Sequence, residues 1–176
     1  DIHFKPELAL EAAGITDKIR INPGNYLRGK TVEALLPELL KTCRDKGTAI
    51  RIGVNHGSLD GSILERYGDT PLGMVESAMQ FLRICKAESF QEVVVSMKSS
   101  NPRVMIQSVR LLAYQMNREE MAYPLHLGVT EAGDGPEGRI KSVVGMAPLL
   151  LEGMGDTIRV SLTESPELEL PVASQI

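Results

Sequence analysis

Short stretches of alternating apolar and polar residues recur along the chain, and longer stretches with helical spacing lie between them. The alternating stretches predict strands that start near residues 18, 49, 93, 125 and 157. Alternation with a period of two places the apolar side chains on one face of a strand and the polar ones on the other. Most of these strands begin about 32 residues apart, which is typical of parallel strands joined by crossover helices.

The intervening stretches predict helices over residues 6–13, 31–46, 71–86, 102–116 and 139–152. Thr70 with Pro71 and Asn101 with Pro102 have the residue types that begin helices. In the third helix an apolar stripe with a spacing of three and four faces the core, and it comprises Met74, Ala78, Phe81 and Cys85. Cys85 is therefore predicted to be a packing residue and not a catalytic one.

The strands favour a barrel over an open doubly wound sheet, because large polar residues on one strand face suit a barrel interior. A complete (β/α)8 TIM barrel needs roughly 250 residues, so this chain is predicted to form a partial TIM barrel of α/β class without its first strands. The predicted barrel domain spans residues 1–163. The Pro-rich, acidic residues 164–176 are predicted to be a linker.

Composition excludes several classes of function. The chain has 176 residues and is 43% hydrophobic, which is enough to bury a sizeable core. Its net charge is -4, so it lacks the overall positive charge that would predict binding to nucleic acid. No apolar run reaches the roughly 20 residues of a membrane span. Cys43 and Cys85 form no CxxC motif, which argues against a metal site made by this chain and indicates reduced thiols of an intracellular protein.

The polar strand faces bring several cations and hydrogen-bonding groups to one side of the predicted sheet. These residues are Arg20, Asn22, Arg51, Asn55, Lys98, Arg159 and Ser161. Arginine forks and a lysine point charge are the usual ligands of phosphate, and a diphosphate uses several of them. The pattern therefore predicts a site for a phosphorylated small molecule. A purely structural ion-pair network is the alternative.

Glu131 follows the strand near residue 125, at the point where the chain turns into a Gly-rich loop. The carboxyl ends of parallel strands form the active sites of α/β barrels, so this carboxylate is a candidate catalytic group. Its alternative role is to cap the following turn. His3, His56 and His126 lie at or near strand ends, but their spacing is not that of a metal site.

Five ordered motifs give the sequence a specific resemblance: RINPGN, RIGVNHGS, MKSSN, YPLHLGVTEAG and GDTIRVSLT. In this order they resemble the 4-hydroxy-3-methylbut-2-enyl diphosphate synthase family of the methylerythritol phosphate route to isoprenoids. NHGS, YGDTPLGMVES and the acidic loop after TEAG resemble the longer plant, chlamydial and Bacteroidetes type, which has an extra domain.

The resemblance implies an oxidoreductase that opens 2-C-methyl-D-erythritol 2,4-cyclodiphosphate and releases 4-hydroxy-3-methylbut-2-enyl diphosphate. Ferredoxin or flavodoxin supplies two electrons in that family through a [4Fe-4S] cluster, which is held by a C-terminal domain that this chain lacks. The resemblance also implies a homodimer for the complete protein, in the bacterial cytoplasm or the plastid stroma.

Residue by residue, the resemblance assigns diphosphate or substrate binding to matching motif positions. These are Arg20, Asn22, Arg51, Asn55, Lys98 and Arg159, with His126 and Ser161 nearby. Glu131 would be the acid near the hydroxyl that is lost. Two other functions stay open: a phosphate-binding aldolase or isomerase with Lys98 as its nucleophile, and a noncatalytic anion-binding module.

Overall fold

A computed structural model describes residues 2, 5–27 and 29–176; Asp1 and His3 lie outside this part of the chain. Helices and parallel strands alternate in it. The helices are α1 (Pro6–Ala13), α2 (Pro23–Tyr26), α3 (Val32–Lys46), α4 (Gly61–Tyr67), α5 (Pro71–Ala87), α6 (Pro102–Arg118), α7 (Gly135–Leu151) and α8 (Glu169–Gln175). The strands are β1 (Lys18–Ile21), β2 (Ala49–Asn55), β3 (Val93–Lys98), β4 (His126–Leu127) and β5 (Thr157–Ile158).

Capping side chains set the starts of three long helices. The side chains of Thr31, Thr70 and Asn101 accept hydrogen bonds from the first-turn N–H groups of α3, α5 and α6. These bonds satisfy donors that have no partner within the helix, which explains why the predicted starts of these helices are confirmed. The sequence pattern did not predict α4, a helix of seven residues in the segment that connects β2 to α5.

The strands form a parallel array in chain order. β1, β2 and β3 are hydrogen-bonded neighbours in a three-stranded sheet, and β4 pairs with β5. Isolated bridges from Val95 to Leu125 and from Ser99 to Val129 connect the two sheets, and Ile2 bridges to Ile21. This arrangement confirms the predicted partial α/β barrel, because parallel neighbours in chain order with helices between them build a TIM barrel.

The apolar strand faces and the helices bury a common core. Ile50, Ile52 and Val54 of β2 are fully buried, and so is the predicted stripe of α5. Burial raises the pKa of Cys85 to about 12 and that of Cys43 to about 11, so both thiols remain protonated at neutral pH. The structure thus confirms Cys85 as a packing residue. Among the described helices, none is both long and apolar enough to cross a membrane.

Two C-terminal predictions need correction. The strand predicted over residues 157–162 is regular only at Thr157–Ile158. Beyond it, single hydrogen bonds join the chain to β4 and to the segment after β4. They run from Arg159 N to Leu127 O (2.9 Å) and from Ala132 N to Ser161 O (3.3 Å). Residues 164–176, predicted to be a linker, form a 3₁₀ turn and α8, and Val172 is buried against the core. Whether they connect to another domain stays a prediction.

Candidate functional site

The strand register brings the predicted polar residues side by side. Arg20 of β1 pairs with Arg51 of β2, and Asn55 pairs with Lys98 of β3. The bridges between β3 and β4 have a constant offset, which places His126 beside Ser96. Since side chains alternate along each strand, these residues share the face opposite the apolar core.

Arg20 lies across β2 at the position where that strand has a glycine. Its guanidinium donates hydrogen bonds from Nη2 to the carbonyl oxygen of Gly53 (3.1 Å) and to Oδ1 of Asn55 (3.3 Å). A Cβ atom at Gly53 would be 2.4 Å from Arg20 Nε and 3.1 Å from Ser96 Oγ. Gly53 therefore provides the space that the guanidinium occupies, a role that sequence analysis missed.

Replacing Gly53 by Ala is expected to displace the Arg20 guanidinium and to weaken binding of inorganic pyrophosphate about 10-fold, the effect of losing roughly one charged hydrogen bond. The measurement is calorimetric titration, with thermal unfolding as a check that the fold survives. Gly61→Ala is the matched control, because a Cβ atom there has open space. Unchanged pyrophosphate binding in Gly53→Ala would contradict this role for the glycine.

Four cations lie close enough together for their charges to lower the pKa of Arg20, Arg51 and Lys98. Burial, followed by the charges of Arg51, Arg159 and Arg20, lowers the pKa of Lys98 to about 8 from its usual 10.5. Burial and a neighbouring arginine also lower the pKa of Arg20 and of Arg51. The structure thus places Arg20, Arg51, Lys98 and Arg159 in one region of positive potential, which favours an anionic ligand. These four residues are called the cation cluster below.

His126 is a neutral group within this positive region. Its Nδ1 lies 2.8 Å from Oγ1 of Thr157 on the neighbouring strand β5. Burial lowers the pKa of His126 to about 4, with a further contribution from Lys98, Arg51, Arg159 and Lys18. The imidazole is therefore uncharged at neutral pH and acts through hydrogen bonds. The sequence predicted His126 as a site residue but not Thr157. The feature that could have identified Thr157 is its position on the same polar strand face as Arg159.

Asn22 has a structural task that sequence analysis missed. Its Oδ1 accepts a hydrogen bond from Gly24 N (3.0 Å) at the start of α2, and its Nδ2 donates one to Ser58 Oγ (3.3 Å). The amide oxygen thus caps α2, and the amide nitrogen ties the loop after β1 to the loop after β2. A ligand contact for Asn22 stays a prediction. Both polar atoms of its amide already have a partner, so a ligand would have to share or replace one of these bonds.

Arg159 and Ser161 follow β5 along the edge of the described sheet, where Arg159 is exposed and Ser161 is half-buried. Arg159 still acts on the cluster, because its charge lowers the pKa of Arg51, Lys98 and His126. Ser161 lies next to the candidate acid, since its carbonyl oxygen accepts the bond from Ala132 N. Both residues are therefore at the predicted site, although the strand that contains them is short.

Glu131 lies at the end of the segment that follows β4, with a φ of 51°. Ser89 and Glu120 also have a positive φ, but each of them lies just past a helix. Glu131 instead lies between two anchored residues: Thr130 N donates to Ser99 O (3.2 Å), and Ala132 N donates to Ser161 O. A left-handed backbone costs a non-glycine residue about 1 kcal/mol, and such strain is concentrated at functional sites.

The side chain of Glu131 is exposed and makes no hydrogen bond or ion pair with another described residue; only its carbonyl oxygen is bonded, by Lys141 Nζ (3.3 Å). The carboxylate is therefore not a cap of the following turn in this structure. Its exposed side chain is available to a ligand.

No group of three or more His, Cys, Asp or Glu residues suited to a metal occurs in the described part of the chain. His56 lies 3.6 Å from Asp69 Oδ2, and the same carboxylate accepts hydrogen bonds from Gly57 N. These contacts hold the loop after β2. An iron–sulfur cluster does not fit the described cysteines either, because Cys43 and Cys85 are buried in helices of the core.

Parallel strands, outer helices and polar side chains at the carboxyl ends of the strands define an α/β-barrel domain of the TIM type. The sequence matches the GcpE TIM-barrel domain over residues 1–174. The chain belongs to this family.

Relatives of known name are similar to the whole of this chain. The 4-hydroxy-3-methylbut-2-en-1-yl diphosphate synthase (flavodoxin) of Phocaeicola vulgatus is 54% identical over 194 residues, which cover 100% of this chain and 32% of the relative. The protein of the same name from Parabacteroides distasonis is 55% identical over 195 residues, with the same shares of 100% and 32%. A 4-hydroxy-3-methylbut-2-en-1-yl diphosphate synthase (ferredoxin) from Prochlorococcus marinus is 50% identical over 196 residues, which cover 100% of this chain and 48% of that protein. The chain thus spans about a third to a half of the length of these relatives.

Proposed function

We propose that this chain is the substrate-binding barrel of a 4-hydroxy-3-methylbut-2-enyl diphosphate synthase. Its ligand would be 2-C-methyl-D-erythritol 2,4-cyclodiphosphate. The observation that supports this proposal most directly is the convergence of Arg20, Arg51, Lys98 and Arg159 on one side of the strands in a barrel domain of this family. Each cation can donate charge-assisted hydrogen bonds, which are the type of contact that a diphosphate needs.

The other residues of the site have distinct tasks in this proposal. Asn55 orients Arg20 through the bond to its Nη2, and Gly53 leaves the space for that guanidinium. Glu131 would hold a proton at the hydroxyl that departs as water during the reduction. The carbonyl oxygen of Ser161 accepts a hydrogen bond from the N–H group of Ala132, the residue after Glu131. Ser161 would therefore contact the same end of the ligand.

The reaction consumes two electrons, and the names of the relatives point to flavodoxin or ferredoxin as donor. We propose that a [4Fe-4S] cluster delivers these electrons and that residues outside this chain bind it. The described cysteines do not fit a cluster, so the residues of this chain bind and orient the substrate. We further propose a homodimer, located in the cytoplasm of a bacterium or in a plastid stroma.

A calorimetric titration of the full-length protein tests the proposed substrate. The cyclodiphosphate is expected to bind about 10-fold or more tightly than inorganic pyrophosphate, because its hydroxyl groups add hydrogen bonds to those of the phosphates. Equal affinity for the two ligands would contradict the proposal and would favour a general anion-binding module. Circular dichroism of the same sample serves as the control for folding.

One observation favours a second candidate function, a phosphate-binding aldolase or isomerase. A lysine nucleophile needs a lowered pKa, and the pKa of Lys98 is lowered to about 8. Borohydride trapping with a carbonyl substrate separates the two functions. An adduct on Lys98 would support the aldolase type, whereas the synthase needs Lys98 as a charged phosphate ligand and gives no adduct.

A further inference from the structure

Two buried polar atoms next to the cation cluster lack a hydrogen-bond partner among the described residues. They are Oγ of Ser96, whose residue is 1% exposed, and Nε2 of His126, whose residue is 8% exposed. An unsatisfied polar atom at such depth costs roughly 1 to 3 kcal/mol, so most buried polar atoms in proteins have a partner. Two of them on neighbouring strands form a place where a polar ligand atom gains hydrogen bonds.

The two atoms belong to one place in the barrel. The bridges between β3 and β4 put Ser96 beside His126, and both residues are on the polar face of their strands. Ser96 Oγ is also near the position of the absent Gly53 side chain, where the Arg20 guanidinium lies. Thus the serine and the histidine adjoin the cation cluster.

Thr157 determines how the histidine presents its second nitrogen. Nδ1 of His126 is occupied by the Thr157 hydroxyl at 2.8 Å, which leaves Nε2 as the only free hydrogen-bonding atom of the ring. The Thr157 hydroxyl can donate to or accept from this nitrogen, and in either case the bond fixes the ring plane. Nε2 is therefore held in one orientation before a ligand arrives.

Ser96 Oγ and His126 Nε2 are uncharged at neutral pH, unlike the four cations around them. A neutral pair contributes little to the binding of phosphate charge, which the arginines and Lys98 already attract. A hydroxyl oxygen, by contrast, donates one hydrogen bond and accepts others, and it can satisfy both atoms at once.

We propose that Ser96 Oγ and His126 Nε2 form a hydroxyl-recognition subsite, positioned by Thr157, which selects a polyol diphosphate over a bare diphosphate. This inference rests on the proposed function, because it assigns the hydroxyl-bearing carbon chain of that substrate to the subsite. It adds Ser96 as a specificity-determining residue and Thr157 as a positioning residue.

The test uses the full-length protein with Ser96→Ala, Thr157→Val and Thr157→Ser, titrated with the cyclodiphosphate and with inorganic pyrophosphate. Ser96→Ala and Thr157→Val are each expected to weaken binding of the cyclodiphosphate about 10-fold, the effect of one neutral hydrogen bond, and to change pyrophosphate binding less than about twofold. Thr157→Ser keeps the hydroxyl and is expected to restore the wild-type affinity. Nitrogen chemical shifts of the His126 ring should change in Thr157→Val and return in Thr157→Ser.

Three results would overturn the inference. Equal losses for both ligands would make Ser96 and Thr157 parts of the anion site or of the fold. No loss for either ligand would mean that the buried atoms bind only water. Failure of Thr157→Ser to restore the affinity would remove the positioning role. The wild-type titration is read first. If the wild-type protein shows no preference for the cyclodiphosphate over pyrophosphate, the proposed function itself is refuted. If the wild-type protein shows this preference and the variants retain it, only the subsite is refuted.

Discussion

In the full-length protein, replacing Glu131 by Gln is expected to lower turnover of the proposed cyclodiphosphate substrate about 10²- to 10⁴-fold, the usual contribution of a positioned general acid or base. Gln has nearly the same shape as Glu, but its amide cannot serve as a general acid or base. The affinity for the substrate should change only a few-fold, because the cations around Lys98 supply the attraction for the diphosphate. A lower kcat with an unchanged KM is therefore the expected result.

The backbone around Glu131 makes this substitution a clean test. Hydrogen bonds to β3 and to the segment after β5 hold the neighbouring residues, so a Gln at this position keeps the left-handed backbone. Glu137→Gln is the control, since Glu137 lies nearby in the first turn of α7 and loses the same charge. Turnover near normal in Glu131→Gln would remove this residue from the mechanism. A parallel loss in Glu137→Gln would indicate a general effect of charge.

Replacing Lys98 by Met is expected to have opposite effects on ligand binding and on stability. Pyrophosphate affinity should fall about 100-fold, because a buried charge-assisted contact is lost. The free energy of unfolding at pH 7 should rise by about 2 to 3 kcal/mol, because Met fills a similar volume without a buried charge among arginines. The measurements are calorimetric titration and denaturant unfolding.

The pH dependence of stability provides an independent check on Lys98. Its pKa is about 8 in the folded protein and near 10.5 in the unfolded chain. Between these values the unfolded state binds more protons, so the contribution of Lys98 makes the wild-type protein more stable as the pH rises from 8 to 10.5. Below pH 8 both states are protonated, and the full cost of burying the charge is present. Lys98→Met should lack this rise.

Lys41→Met is the matched control for both measurements, since Lys41 is exposed on α3. It should alter neither the affinity nor the pH profile. If Lys98→Met lost stability together with affinity, Lys98 would be a structural residue with a partner in the fold. The expected combination of a weaker ligand and a more stable protein is the behaviour of a site that tolerates strain for function.

The barrel class and the cation cluster were predictable because both follow from a local pattern. Alternation within β2 places Arg51 and Asn55 on the face opposite Ile50 and Ile52, whatever the neighbouring strand is. Parallel strands then bring such faces together. The starts of α3, α5 and α6 were predictable for a similar reason, since a cap such as Thr70 bonds to an N–H group three residues away. The start of α7 at Gly135 was predicted four residues too late, because its N-cap residue Asp134 makes no such side-chain bond.

The details of the site were not predictable because they depend on distant residues. The bond between His126 and Thr157 joins positions 31 residues apart, and only the register of β4 with β5 makes them neighbours. The space at Gly53 has a function only because Arg20, which is 33 residues away, extends across it. A sequence pattern records neither a register nor an empty volume.

By itself, therefore, the sequence determined where most strands and long helices lie, which strand faces are polar, and that several cations share one side of the sheet. Only the tertiary structure decided that Asn22 ties two loops together, that Thr157 orients His126, and that Glu131 adopts a left-handed backbone. Periodicity is a property of consecutive residues, whereas these contacts arise when strand register and packing bring distant residues within hydrogen-bonding distance.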